Sequence, residues 1–268
     1  MNASAALLPA PSTAPPPDAA GAVRPELAVR GVWRGTEIGR QATAVVPTGW
    51  APLDRELPGG GWPTQSLTEV LAAQPAAVEW RLLAPALRQV AARGGQIVAV
   101  GPPHPPYLPG LRQEGLDERC FVWIDARTPA ERLWTAEQLL KANACGAVVA
   151  WLPQARPEQV RRLQVCAQSC EGLAFLCRPA AARHESSAAP LRVQADPGPD
   201  WELRLHILKR RGPLQDEPLV LPSMPGGLAA LITPRLRHPS RLLTREDPAD
   251  AVGGTVIALR TRRNAAVQ

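Results

Sequence analysis

The chain reads as an α/β protein built on a mostly parallel sheet, and three observations predict that class. Between residues 67 and 209, short apolar runs of strand length alternate with stretches in which apolar residues recur every three to four positions. Most of the runs are apolar throughout, as in strands covered on both faces, with Ala147 to Leu152 the clearest instance. At 268 residues, 45% of them hydrophobic, the chain can bury one substantial core with sequence to spare.

The elements follow in order. Leu67 to Leu71 is the first strand. Ala76 to Ala92 is an amphipathic helix with Trp80, Leu83, Leu87 and Val90 on one side, closed by Gly94-Gly95. Gln96 to Val100 is a strand. Residues 101 to 110, GPPHPPYLPG, form a stiff proline-rich loop before a short helix, Leu111 to Leu116. Cys120 to Ile124 is a strand, Pro129 to Asn143 a helix, Gly146 to Leu152 a strand, Pro157 to Cys170 a helix and Gly172 to Cys177 a strand. A polar loop is expected over 179 to 200. Trp201 to Lys209 is a longer strand in which Trp201, Leu203, Leu205 and Ile207 alternate with polar residues. After Pro213 the periodicity dissolves, apart from one weak strand, Thr255 to Leu259.

Composition narrows the function classes. The net charge is +6, carried almost wholly by arginine, which fits either an arginine-rich coding background or attraction to DNA or an acidic partner. Five cysteines, Cys120, Cys145, Cys166, Cys170 and Cys177, lie in or beside apolar segments and read as buried thiols of a reducing cytoplasm. Cys166 and Cys170 are one helical turn apart, but no histidine pair or CxxC completes a metal set. The N-terminus lacks a basic n-region, and prolines break any h-region, so no signal peptide is expected. No apolar run reaches membrane-spanning length.

The residues ahead of the first strand carry the most information. Thr48 to Val70 reads TGWAPLDRELPGGGWPTQSLTEV, a helical turn around Leu53-Asp54, a glycine-rich turn at Gly59 to Gly61, and then the strand. The order TG-x(3)-LD-x(2)-LPGGG-x-P resembles the entry into the nucleotide-binding core of RecA-like proteins, and the resemblance runs from about 46 to 212. It implies a RecA-like three-layer sandwich with a degenerate P-loop. A phosphate-binding loop needs glycines, a lysine and a Ser or Thr. Residues 72 to 79 read AAQPAAVE instead. The chain has only two lysines, Lys141 and Lys209, neither in a glycine-rich context. Glu79 would set negative charge against phosphate. Against the RecA pattern, the strand expected to end in a Mg²⁺-holding Asp runs into Trp151, and the loop expected to supply a catalytic Glu reads Gly101-Pro102-Pro103-His104. No ATPase activity, catalytic residue, metal or cofactor is therefore expected.

Within that superfamily the chain is most similar to ImuA-type translesion-synthesis proteins, through Val32-Trp33-Arg34-Gly35, Glu79-Trp80-Arg81-Leu82-Leu83 and the basic C-terminal region. SulA-like cell-division inhibitors are more distant relatives. The resemblance implies a cytoplasmic accessory protein of damage-induced mutagenesis. Its partners would be a Y-family polymerase-like protein (ImuB), RecA and, indirectly, an error-prone replicative-type DNA polymerase, with DNA and self-association as further options. The organisation expected is a disordered Ala/Pro-rich segment (1–24), a docking arm with Trp33 and Arg34 (25–45), the core (46–212) and a basic, largely flexible tail (213–268). In RecA a late strand ends in two lysines that reach a neighbour's nucleotide, and Lys209 and Arg211 match them, with Arg210 between. Arg260, Arg262 and Arg263 in the tail suit phosphates or a partner on which the tail folds. The alternatives are a SulA-like stoichiometric inhibitor of division and an atypical ATPase.

Overall fold

The computed structural model describes residues 44–76, 78–213, 217–224, 228–233 and 235–240. All of them belong to the second of two units, Gln41–Gln268.

The chain enters through β1 (Val45–Val46), α1 (Ala51–Glu56) and β2 (Trp62–Pro63), with β1 and β2 forming a small antiparallel ribbon. The TG-x(3)-LD motif builds this entry. Thr48 N–H donates to Asp54 Oδ1 at 2.8 Å, and Trp50 N–H donates to the Thr48 hydroxyl at 3.0 Å, which closes the first turn of α1. The LPGGG turn is structural as well. Gly60 has φ +80°, and a Cβ on Gly61 would stand 2.4 Å from the Val46 carbonyl oxygen. These glycines turn the chain under β1.

The main sheet then forms from β3 (Leu67–Ala72), β4 (Ile97–Val100), β5 (Phe121–Ile124), β6 (Ala147–Trp151), β7 (Leu173–Pro179), β8 (Leu191–Pro197), β9 (Glu202–Lys209) and β10 (Leu219–Pro222). Their spatial order is β10-β9-β8-β3-β7-β6-β4-β5. The ladders from β5 to β8 are parallel, whereas β8–β9 and β9–β10 are antiparallel. The α/β class with a mostly parallel sheet is thus the observed one. Helices α2 (Glu79–Ala92), α3 (Leu108–Gln113), α4 (Pro129–Ala142) and α5 (Pro157–Ala167) connect the parallel strands. One apolar cluster gathers Leu82, Leu83 and Leu87 of α2 with Leu111 of α3 on one face. A second joins Leu133 and Leu140 of α4 to Val160 and Leu163 of α5 on the other. Helix ends follow local chemistry. Thr128 and Glu131 make a reciprocal capping box on α4, and Asn143 closes it with φ +48°.

Three expectations need correction. The short third helix begins at Leu108 rather than Leu111, with a proline in its first turn, where the missing N–H costs nothing. The polar loop expected over 179–200 holds a short 3-10 turn, Ala180–His184, and a full strand, β8. The polar residues of β8 masked it: Arg192 and Gln194 are buried because each has a partner, Glu69 and Asp196. After Pro213 the chain returns as β10, which buries Leu221 against β9. The weak strand expected at Thr255 to Leu259 lies outside the described residues. Among those described, no helix is long and apolar enough to cross a membrane.

Candidate functional site

In an open parallel sheet, ligands bind outside the carboxyl ends of the strands. Here that edge is formed by the ends of β3, β6 and β7, and the side chains there satisfy one another. Glu79, the first residue of α2, is 1% exposed. Its Oε1 accepts from Ala76 N–H at 2.9 Å and from the Trp151 indole N–H at 3.2 Å, and its Oε2 accepts from Val78 N–H at 3.2 Å. Both backbone donors precede the helix, so the carboxylate folds back on the turn that leads into α2. The turn is held with Ala76 at φ +61°. Glu79, read from the sequence as a charge that repels phosphate, thus also braces the turn that leads into its helix.

Trp151, at the end of β6, is buried, and its ring lies 5.2 Å from Trp80, which in turn meets Phe121 at 5.7 Å. Beneath them lies Cys177, whose thiol is pushed well up by burial and then by the charge on Glu79. What remains open between Pro75, Glu79, Pro103, Trp151 and Arg178 is a cavity of about 70 Å³, against roughly 300–1,000 Å³ for small-molecule sites. His104 is exposed and does not line it.

Beside this crevice is an ionic cluster that sequence reading missed. Glu69, fully buried in β3, accepts from Arg178 of β7 at 2.8 Å and from Arg192 of β8 at 2.5 Å. Arg178 also donates to Glu185 and to the Ala155 carbonyl, and Arg192 to the carbonyl of Ala182. Hydrogen bonding to Glu69 and Glu185 raises the Arg178 pKa although burial opposes it. A carboxylate in an otherwise apolar strand was the available signal, because a buried charge implies a partner.

The basic strand end lies at the opposite edge of the sheet, where the parallel strands begin. Lys209 donates to the Ser187 carbonyl at 2.8 Å. Arg210 is turned inward: it pairs with Glu56 at 2.9 Å, and it donates to the Glu56 and Pro213 carbonyls, capping the end of α1. Arg211 is exposed and has no partner among the described residues. Trp33, Arg34, Arg260, Arg262 and Arg263 lie outside the described residues. Among those described, no group of three or more His, Cys, Asp or Glu is arranged to hold a metal.

The fold and this crevice define an α/β protein with a largely parallel sheet whose ligand edge is closed by its own side chains. By sequence the chain is similar to the cell division inhibitor SulA of Photorhabdus laumondii subsp. laumondii, at 29% identity, the match covering 32% of this chain and 62% of that protein. The chain therefore spans less than two thirds of that relative's length, and the likeness supports a distant SulA-like relationship. No family model matches the chain.

Proposed function

We propose that this protein is a non-catalytic, RecA-like accessory protein of the SOS response that acts in translesion synthesis by binding other proteins. Its partners in this reading are RecA and an ImuB-type polymerase-like protein, with an error-prone replicative-type polymerase reached indirectly and DNA as a further ligand of the basic tail. One observation supports the non-catalytic part: the Glu79 carboxylate accepts from the N–H groups of Ala76 and Val78 and the indole of Trp151 at the place where, in this reading, a terminal phosphate would have to lie. Motif matching assigned Glu79 to the phosphate loop and Trp151 to the metal-binding strand end. Their hydrogen bond across the ends of β3 and β6 supports reading the crevice as a degenerate nucleotide pocket.

The test is equilibrium binding of ATP and Mg²⁺ to the purified chain, together with capture of RecA and ImuB and its effect on RecA filament formation. The expected outcome is no nucleotide retention and no phosphate release, with both proteins captured and RecA filaments altered. Micromolar, Mg²⁺-dependent ATP binding, or no effect on RecA and no capture of ImuB, overturns it. The likeness to SulA favours a second reading, a stoichiometric inhibitor of cell division. Filamentous growth on overexpression, with direct binding to the tubulin-like division protein, would select it.

A further inference from the structure

A second, open cleft is at the edge of the sheet opposite the closed crevice. It has a volume of about 450 Å³ and is lined by Gln65 and Ser66 before β3, Gln164 and Gln168 at the end of α5, and Arg211 after β9. Its polar lining is made of amide and hydroxyl groups, which donate and accept, and of guanidinium groups, which only donate. The Gln164 oxygen accepts from Leu67 N–H at 2.8 Å, which leaves its NH₂ without a partner among the described residues. The side chains of Gln65, Ser66, Gln168 and Arg211 likewise make no hydrogen bond to a described residue, and no carboxylate lines the cleft. Arg210, the other cation in its wall, is already paired with Glu56.

Gln65 adds an independent observation. It has φ +52°, a left-handed conformation that costs any residue with a Cβ, and its N–H is held by the Cys170 carbonyl at 3.1 Å. Glycine is the unstrained choice at such a position. A glutamine there brings an amide into the cleft.

We propose that this cleft binds an extended acidic segment of a protein partner, with one Asp or Glu carboxylate on Arg211 and the segment's backbone carbonyls on the amides of Gln65, Gln164 and Gln168. Three features favour a peptide over a nucleotide or nucleic acid. No aromatic ring lines the cleft, so a base has nothing to stack on. Gln164 and Gln168 stand at the C-terminal, electronegative end of α5, which opposes any anion and a multiply charged phosphate more than a single carboxylate held on Arg211. Pro58, Pro63 and Pro190 make up part of the wall and have no N–H, which leaves fewer backbone donors for a phosphate than a phosphate cradle needs. The proposal rests on the adaptor reading only in requiring a protein partner.

Selection of a phage-displayed random peptide library on the full chain, with counter-selection on Arg211→Glu, tests it. Enriched peptides are expected to share an Asp or Glu. In fluorescence anisotropy they should bind at least about tenfold more weakly to Arg211→Glu, as for loss of one charge-assisted hydrogen bond. Gln65→Gly should weaken binding without lowering the melting temperature, an outcome that a purely structural role for Gln65 does not give. Hydrogen exchange should show protection over residues 61–66 and 164–168. Enrichment of neutral or basic peptides, equal binding by Arg211→Glu, or displacement of the peptide by a single-stranded oligonucleotide through Arg211 overturns the proposal. Capture of RecA and ImuB equally by wild type and Arg211→Glu rejects the cleft and leaves the adaptor reading standing. Arg211-dependent peptide binding with neither protein captured does the reverse.

Discussion

The Glu79 carboxylate satisfies three donors that would otherwise point into an apolar crevice. Replacing it by alanine strands the Trp151 indole and two backbone N–H groups, so Glu79→Ala should destabilise the fold by about 2–3 kcal/mol in urea unfolding. Glu79→Gln keeps an acceptor oxygen and should cost about 1 kcal/mol. If both variants matched wild type, the carboxylate would be a passive occupant. Thiol chemistry is a second check at this scale. Cys145, Cys166, Cys170 and Cys177 are buried, and burial raises the thiol pKa of Cys145, Cys170 and Cys177. Only the half-buried Cys120 should react with a thiol reagent at neutral pH in the folded state. Prompt labelling of Cys177 would mean that the crevice opens in solution.

Elements are held in register here by charge as well as by apolar packing. Glu69 joins β3 to β7 through Arg178 and to β8 through Arg192, in the middle of the sheet. Glu69→Ala would leave the buried Arg192 with no carboxylate and Arg178 with Glu185 alone, at a cost of about 3–5 kcal/mol. Replacing all three by apolar residues of similar volume should recover most of that loss, because the desolvation of the charges is removed with them. Equal stability of the single and triple variants would rule out a pairing role. On the other face, Arg81 of α2 donates to the carbonyls of Trp201 and Ser223 and to the Ser223 hydroxyl, and so fastens the end of β10. A chain ending at Pro213 loses this anchor and exposes the β9 edge, so its melting temperature should fall. A chain ending at Ser240 keeps β10 and the Arg81 anchor and should melt above the chain ending at Pro213. It is the better reagent for asking whether residues 241–268 bind ImuB or DNA.

At the scale of the whole molecule the sheet has two edges of opposite character, one closed by its own side chains and one open and lined by amides and a guanidinium. Much of the architecture was legible in advance. β3, β4, β6 and β7 are apolar runs flanked by turn residues, and α4 and α5 begin at their prolines, Pro129 and Pro157. Local pattern suffices where burial is uniform and helix ends are capped by neighbours in the chain. β8 was hidden for the contrary reason: Arg192 looks like a surface residue until Glu69, 123 positions away, is brought beside it. That Glu79 and Trp151 stand where a RecA-type pattern expects other residues could likewise be read residue by residue. That the two touch could not, because their contact depends on the crossover that sets the end of β6 beside the start of α2. The sequence by itself determined the alternation of strands and helices and the absence of a phosphate-binding lysine motif. Only the tertiary structure decided that the Glu79 carboxylate meets the Trp151 indole, that Arg210 is internal while Arg211 has no partner among the described residues, and that the open cleft lies at the opposite edge. Each of these depends on groups far apart in the chain, and periodicity carries no information about which distant partner a buried charge will meet.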